Sequence, residues 1–505
     1  REEHRGGDGT AVVPGPEVGL EVGRVNLRRV SRIVGLVLYA LAGAQIVPLL
    51  LCFFPVDAQS AKGFLAGIVS SAVLGSVLRR VGDEEGELYR REGVLVVVGA
   101  WLLASVFGAV PFLVSGTIAH PVDALFESAS GFTTTGASIL QNIEAVPAPL
   151  LFWRSMTQWL GGIGIVVLFV ALLSELGPGA RFLFKLEVPG PKAEILHSRV
   201  RQTAAALFRI YLVLTLMQII VMLLCGASLY DSVVHAFSTV STGGFSPYND
   251  SVAHLSSLLQ TVILVFMLVS GVNFALYYAF AKRRDWVVLR DVELRAYAVI
   301  VGVVSMFVCA DLVVNDSEGS RAKQLLDAAF QVVSLITTTG FSTDDFAQWP
   351  GLSHAFLLAL MFVGGCAGST AGGAKVIRML IGFRVAMREV RLTYSPNSVI
   401  AISVGNQVVP EASVRAVVAL LLLWFLGWGT GALLLSVGDT DIVTAVTASL
   451  ATLSNIGPGL AAVGPNENFA FFAHWQKLVM VVLMWLGRLE FFALLALAQP
   501  QFWRR

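Results

Sequence analysis

Long apolar runs alternate with short polar segments over most of the chain. Two such runs, at about 33–55 and 62–78, have the length of a membrane-crossing helix, for which about 20 apolar residues suffice. Beyond them one pattern occurs four times: a long apolar run, a shorter amphipathic segment, a polar segment rich in glycine and threonine, and a second long apolar run. The pattern predicts an all-α polytopic membrane protein with four repeats and an N-terminal pair of helices.

Each repeat is predicted to contain a first helix, a pore helix, a filter loop and a second helix. The expected positions are 93–117, 123–131, 132–138 and 149–174 in repeat 1; 203–227, 231–239, 240–246 and 256–281 in repeat 2; 296–314, 325–335, 336–342 and 352–383 in repeat 3; and 413–436, 441–452, 453–459 and 475–498 in repeat 4. The corresponding divisions are 1–32 (tail), 33–92 (helix pair), 93–180, 181–284, 285–392 and 393–505. Internal repetition on this scale is typical of transporters and channels.

Composition agrees with a membrane protein. Of the 505 residues 56% are hydrophobic and 14% are charged, whereas soluble domains carry about 25% charged residues. A net charge of +1 argues against nucleic acid as a partner. The four cysteines show no metal-binding spacing and are interpreted as packing residues. We find no GxxxxGK[ST], HExxH or GxSxG motif, which argues against an ATPase or an intramembrane enzyme, and no cofactor is expected.

Basic residues predict the orientation in the membrane. If both termini are cytoplasmic, 30 of the 35 Lys and Arg residues lie on the inner side. All four filter loops then lie on the outer side, as a single pore requires. The outer connections carry acidic residues that either draw cations to the mouth or belong to ordinary solvated loops. These residues are Asp123, Asp231, Asp311, Asp316, Asp344, Asp345, Asp439 and Asp441.

The filter loops are the candidate chemistry. Their sequences are GFTTTGAS (131–138), VSTGGFS (240–246), ITTTGFS (336–342) and the degenerate LSNIGPG (453–459). Non-helical backbone at membrane depth is tolerated only where it is buried in protein or lines water, and rings of its carbonyl oxygens can replace the hydration shell of a monovalent cation. Glycine permits the necessary backbone angles. The glycines expected at equivalent places are Gly136, Gly243, Gly340 and Gly457.

Helix dipoles would add to this preference for cations. Four aspartates near the expected starts of the pore helices complement the positive ends of their dipoles: Asp123, Asp231, Asp327 and Asp441. The negative ends then point into the pore.

Several residues inside the apolar runs need an explanation. Residues 364–373 hold five glycines, too many for a helix interior, and predict an intramembrane loop. Arg488 is expected inside the last spanning helix, where insertion of a charge costs about 2.5–3.5 kcal/mol. Such a residue usually faces a pore or a partner. The alternative is that Arg488 pairs with Glu490 or extends its side chain to the membrane surface. Asn273, expected in mid-helix, bonds either the 364–373 loop or a local backbone group. Arg154 is expected to brace the outer loops.

Together these segments resemble the Trk/Ktr/HKT superfamily of potassium transporters, and within it the bacterial Trk branch. Besides the filter loops, the resemblance rests on WRSMTQWLGGIGI (153–165), GVNF (271–274), GGCAGSTAGGAKVIR (364–378) and GRLE (487–490). It implies four repeats around a pseudo-fourfold pore in a homodimer, with potassium as substrate. The implied potassium-binding filter residues are Thr134, Thr135, Gly136, Ser241, Thr242, Gly243, Thr338, Thr339, Gly340, Asn455, Ile456 and Gly457.

The resemblance also implies control of the pore. The implied gate comprises Gly364, Gly365, Gly368, Ser369, Thr370, Gly372, Gly373, Lys375 and Arg488, the arginine acting as a barrier below the filter. Family members bind a cytosolic nucleotide-binding regulatory subunit (RCK/KTN type). The stretches 181–201, 282–295 and 384–396 are candidate contacts, or they only reflect the inner excess of basic residues.

The expected function is therefore potassium uptake across the bacterial inner membrane, driven by a potential worth about 2.3 kcal/mol per charge per 100 mV. The alternative is a secondary symporter for an organic solute that uses broken helices. The sequence leaves open potassium against potassium plus sodium, and channel-like flux against proton- or sodium-coupled transport.

Overall fold

The architecture was obtained from a computed structural model, which describes residues 25–83, 90–175, 200–283, 286–315, 320–405 and 407–503. Most of the tail (1–24), the basic stretch 181–199 and Asp316 lie outside these residues.

The N-terminal helices form a close pair. Leu27–Ala44, extended by Ile46–Leu51, packs against Ala58–Val81. Asp57 caps the second helix because its side chain accepts hydrogen bonds from the Gln59 and Ser60 N–H groups. The helices cross where glycine faces glycine, since a methyl group on Gly35 would lie 2.8 Å from the Gly75 carbonyl oxygen.

Four repeats follow, each with a first helix, a pore helix and a second helix. The bounds are Arg90–Val114, Pro121–Phe132 and Ala148–Glu175 in repeat 1; Val200–Leu224, Leu229–Val240 and the two-part helix Ser257–Ser270 with Phe274–Arg283 in repeat 2; Val292–Val314, Arg321–Ile336 and the two-part helix Gly351–Val363 with Val376–Tyr394 in repeat 3; and Glu411–Leu435, Ile442–Leu453 and the two-part helix His474–Arg488 with Phe492–Ala498 in repeat 4. The short helices Trp286–Arg290, Phe346–Gln348, Ala461–Val463 and Pro500–Trp503 lie in connections and at the end.

Within the described residues, six helices are long and apolar enough to cross a membrane, and two bent pairs bring the number to eight. The predicted all-α fold with pore-helix repeats is confirmed. One addition was not predicted, a small hairpin in which Ser403–Val404 pairs with Gln407–Val408.

Two of the predicted second helices are broken, not continuous. In repeat 2 the two halves meet at 85°, and Asn273 lies in the break, where its Oδ1 accepts from the Ala275 N–H group and starts the second half. In repeat 4 the halves meet at 117° because Glu490 and Phe491 take left-handed φ angles of 55° and 57°. The expectations of a mid-helix Asn273 and of an Arg488 inside a continuous helix were therefore wrong, since Arg488 is the last residue before the bend.

The predicted break in the second helix of repeat 3 is present. Its first half ends at Val363 and its second half begins at Val376. The intervening segment (residues 364–375), called the gate loop after its predicted role, takes positive φ at Gly364, Gly368, Gly373 and Lys375. Glycine adopts this conformation without steric cost.

The pore helices start close to their predicted positions, with one correction. Asp123 and Asp231 lie in first turns, and Asp441 is the N-cap of Ile442–Leu453. Asp327 does not mark a helix start, because repeat 3's pore helix begins at Arg321 with Ser320 as its cap. The Asp327 carboxylate instead accepts from the Thr343 hydroxyl at 2.8 Å, beyond the filter loop.

Candidate functional site

The four filter loops share one backbone conformation. The residue after each helix C-cap is left-handed, with φ of 53° at Thr134, 56° at Thr242, 56° at Thr338 and 55° at Asn455. Three of these are threonines, and a β-branched residue with such a φ is a genuine outlier. Strain of this kind persists only where the surrounding structure enforces it, and it is concentrated at functional sites.

Two positions later each loop has a glycine with positive φ. These glycines are Gly136 (83°), Gly244 (79°), Gly340 (80°) and Gly457 (101°). The predicted equivalence of Gly243 with Gly136 was therefore wrong by one residue. The cause is that the repeat 2 pore helix ends at Val240, so that Gly243 takes the place of Thr135 and Gly244 that of Gly136.

The loops close into a ring. A methyl group on Gly136 would overlap the carbonyl oxygen of Gly243, one on Gly244 that of Thr339, and one on Gly340 that of Ile456. The circle is completed by repeat 4, where a methyl group on Gly457 would lie 2.8 Å from the Thr135 carbonyl oxygen. Each glycine thus meets the next repeat's carbonyl in the order 1–2–3–4–1, as a pseudo-fourfold axis requires.

The N–H groups of the ring residues turn away from the ring and into the pore helices. The N–H group of Thr135 donates to Ser130, that of Gly243 to Ser238, that of Thr339 to Ser334 and that of Ile456 to Ala451, at 2.7–2.9 Å. The loops follow directly on the helix C-termini, where the dipole is negative. Carbonyl oxygens and four negative helix ends therefore converge, an arrangement suited to a cation without its water shell.

A buried ion pair braces the outer side of the ring. Arg154 Nε lies 2.6 Å from Glu127 Oε1, and Arg154 Nη1 donates to the Ser246 carbonyl oxygen at 2.8 Å. The guanidinium carbon also lies 3.5 Å from the centre of the Phe245 ring. Glu127 in turn accepts from the Ile139 N–H group at 2.9 Å. Arg154 thus links repeats 1 and 2, in agreement with its predicted bracing role.

Gln158 supports the repeat 2 loop from the adjoining helix. Its Nε2 donates to the Gly243 carbonyl oxygen at 2.6 Å, and its Oε1 accepts from the Phe245 N–H group at 3.1 Å. Sequence reasoning assigned Gln158 no role, nor did it assign one to Glu127. A glutamate in the middle of a pore helix was the available signal for Glu127, because an unpaired buried charge is costly.

The outer acidic residues serve mainly local structure. The Asp231 carboxylate accepts from the Ser228 hydroxyl at 2.7 Å and from the Tyr248 hydroxyl at 3.0 Å. Burial, the larger cause, and the neighbouring Asp231, the smaller one, raise the pKa of Tyr248 to about 12. Hydrogen bonds from Thr444 hold the pKa of Asp441 below its usual range. Of the predicted outer aspartates that the structure describes, none lines the cavity above the ring, whose lining includes the acidic residue Glu467. The geometry favours the interpretation of ordinary outer loops.

The gate loop contacts three repeats directly below the ring. The Thr370 hydroxyl donates to the carbonyl oxygen of Val240, at the end of the repeat 2 pore helix, at 3.0 Å. The Gly372 N–H group donates to the Thr338 hydroxyl at 2.6 Å, and a methyl group on Gly372 would overlap the Ser454 carbonyl oxygen. In this conformation the loop lies across the end of the filter that is nearest the C-termini of the pore helices.

Arg488 joins the gate loop to repeat 4. Its Nη1 donates to the Thr370 carbonyl oxygen at 2.8 Å, and the residue is 3% exposed. Within the described chain its Nε and Nη2 atoms have no hydrogen-bond partner. The predicted alternative, a pair with Glu490, is not formed, because Glu490 binds Arg378 at 2.8 Å.

One group of side chains has the composition of a metal site. Among the described residues, ligand atoms of His120, Asp123 and His474 lie within 4.8 Å of one another. Their atoms already have other partners, since His120 Nδ1 accepts from the Val122 N–H group and Asp123 Oδ1 pairs with Lys477 Nζ at 2.8 Å. The group joins the repeat 1 pore helix to the repeat 4 second helix.

Comparison with known proteins gives consistent matches. The model of the TrkH family, described as "Cation transport protein", matches residues 59–505. The Trk system potassium uptake protein TrkH of Salmonella typhimurium is 38% identical over 491 residues, which is 95% of this chain and 100% of the relative. TrkG of Escherichia coli K12 is 31% identical over 486 residues, covering 95% and 99%. The crystal structure of the potassium transporter TrkH from Vibrio parahaemolyticus superposes with a TM-score of 0.86 at 35% identity, covering 94% of this chain and 99% of the other.

Proposed function

Since the chain belongs to the TrkH family of cation transport proteins, we propose that it takes up potassium through the ring of carbonyl oxygens that its four filter loops form. It is a multi-pass membrane transporter and not an enzyme, its cargo is the potassium ion, and its transport needs no cofactor.

One observation carries the proposal: each filter glycine meets the carbonyl of the next repeat, and the four contacts form a closed circle. Potassium would bind on the axis between the carbonyl oxygens of Thr135, Gly243, Thr339 and Ile456. The carbonyls of the left-handed residues and of the four glycines would continue the same column. With the repeat 2 register corrected, the filter in that repeat comprises Thr242, Gly243 and Gly244. Of the originally predicted set, Ser241 falls outside this column because it is the C-cap of its pore helix.

We assign the gate to residues 364–375 together with Arg488. The support is positional, because the loop bonds to three repeats below the ring and Arg488 bonds to the loop. A buried, positively charged guanidinium beside the ion path repels a potassium ion that passes without a counter-ion. Movement of the loop would both open the path and displace Arg488 from Thr370.

The orientation and the partners are also proposals. Helix ends remote from the ring carry basic residues such as Arg79, Arg80, Arg384, Arg388 and Arg391, which supports an inner-membrane protein with both termini cytoplasmic. The chain would act as a homodimer, with a cytosolic nucleotide-binding regulator on the stretches 181–201, 282–295 and 384–396.

Two observations disfavour an organic-solute symporter. The broken helix at 364–375 fits such a protein, but its polar groups bond to the filter loops rather than surround a solute cavity. A single solute site also gives no reason for four equivalent loops with the same left-handed residues.

The test is rubidium uptake into potassium-loaded liposomes that contain the purified chain, with sodium or choline as competitor, repeated for Gly136→Ser. Uptake that resists sodium in the parent and loses that resistance in the variant is expected. Uptake indifferent to the variant would contradict the filter. Uptake seen only with Arg488→Ala would mean that the parent pore is held shut without its regulator.

A further inference from the structure

A single carboxyl oxygen binds both the gate loop and the start of the helix that follows it. Glu293 lies in the first turn of the first helix of repeat 3 and is 3% exposed. Its Oε1 accepts from the Ala367 N–H group at 2.8 Å and from the Ile377 N–H group at 3.1 Å. One residue outside the loop therefore binds the chain both within the first half of the loop and just after its end.

The Ile377 bond replaces a missing helix cap. The second half of the broken helix starts at Val376, and its N-cap residue, Lys375, makes no side-chain capping bond. The first N–H groups of a helix have no partner inside the helix, so that an acceptor from elsewhere must satisfy them. Glu293 supplies such an acceptor from a different helix.

Glu293 differs from the other anchors of the loop in what it binds. Thr370 and Gly372 bind the end of a pore helix and the filter, and Arg488 binds one loop carbonyl, whereas Glu293 accepts from two backbone N–H groups. Both of these N–H groups belong to buried residues, and a buried N–H group that loses its acceptor is costly.

We propose that Glu293 is the positioning residue that holds the gate loop closed against the filter. The inference rests on the proposed function in one respect only, namely that residues 364–375 are the gate. The position of the loop itself can be tested without any ion flux.

The chain contains a reporter for that position. Cys366 lies in the gate loop, is 1% exposed and carries a free thiol. With Cys52, Cys225 and Cys309 replaced by Ala, the rate of maleimide labelling of Cys366 measures how often the loop leaves its place. Labelling would be measured on the purified full-length chain.

The variants are Glu293→Ala, Glu293→Asp and Glu293→Gln, with Glu92→Ala as the matched control. Glu92 is also 3% exposed and also lies in the first turn of a long helix, but it accepts from the Asn26 N–H group, remote in the chain from the gate loop. Melting temperature and elution volume would be recorded for each variant.

We expect Glu293→Ala to raise the labelling rate more than tenfold, and Glu293→Asp to raise it several-fold because the shorter side chain cannot reach both N–H groups. Glu293→Gln keeps an acceptor oxygen and should stay within about threefold of the parent, and Glu92→Ala within about twofold. If Glu293→Ala does not fold, the proposal is tested by the other two variants, because the labelling rate of Glu293→Asp should exceed that of Glu293→Gln.

Equal rates in the Glu293 and Glu92 variants would overturn the proposal, as would equal rates for Asp and Gln. Rubidium uptake separates this result from the proposed function. Faster labelling with unchanged uptake would keep the positioning role of Glu293 and would instead contradict residues 364–375 as the gate.

Discussion

Gly244→Ala is the substitution that most sharply tests the corrected filter register. The residue has φ of 79°, and a methyl group there would overlap the carbonyl oxygen of Thr339. Left-handed backbone costs about 1–2 kcal/mol for a residue with a Cβ. Because about 1.4 kcal/mol corresponds to tenfold, this cost alone would lower the population of the conducting loop by about five- to thirtyfold.

Displacement of the Thr339 oxygen adds to that loss, since an oxygen pushed out of the ring no longer coordinates. We expect Gly244→Ala to lose at least tenfold in rubidium uptake and to admit sodium. Gly243→Ala should lose less, because Gly243 has no left-handed φ and its methyl group would meet the side chain of Gln158 rather than backbone.

Gly226→Ala provides the control. Gly226 has φ of 92° with open space around its Cβ position, so the variant carries the same backbone cost away from the ring. Its uptake should match that of the parent at equal protein density. If Gly243→Ala abolished uptake while Gly244→Ala conducted normally, the register derived from the backbone would be wrong.

Three further outcomes are expected. Arg488→Ala should raise uptake several-fold in the absence of any regulator, because it removes a buried cation below the ring, and a fall in uptake by a stably folded variant would contradict the barrier role. Arg154→Met should destabilise the protein by about 3–5 kcal/mol, as expected when one partner of a buried ion pair is lost. Thermal unfolding should show that the double variant Glu127→Gln/Arg154→Met recovers part of that loss. An unchanged melting temperature in Arg154→Met would exclude a structural ion pair. Asp441→Ala should cost about 1 kcal/mol at neutral pH as a lost N-cap. Because the native pKa of Asp441 is lowered, the deficit should be fully present above the ordinary Asp pKa of about 3.9 and should be lost as the pH falls through the lower native pKa. A deficit that does not depend on pH would refute the charged cap.

Much of the architecture could be predicted because its signals are local. Apolar length set the spanning helices, and five glycines within 364–373 marked the break in repeat 3. Short amphipathic segments before Gly/Thr loops marked all four pore helices. In each case the pattern depends only on residues close together in the chain.

The predictions failed where a single residue, or a contact between residues far apart in the chain, determines the local structure. Two adjacent glycines, Gly243 and Gly244, offer two registers, and the end of the pore helix selects between them. The bend after Arg488 depends on left-handed φ at Glu490 and Phe491, neither of which has a sequence signal for a turn. Glu293 is distant in the chain from both N–H groups that it binds, so that only the folded chain reveals the contact.

The most direct test of the central claim is to locate the ion. Crystals of the protein grown with rubidium and measured at its absorption edge would give the positions of the bound ions from anomalous scattering. We expect peaks on the axis between the carbonyl oxygens of Thr135, Gly243, Thr339 and Ile456. Peaks held by side chains elsewhere, with none at the ring in a protein that transports rubidium, would contradict this expectation.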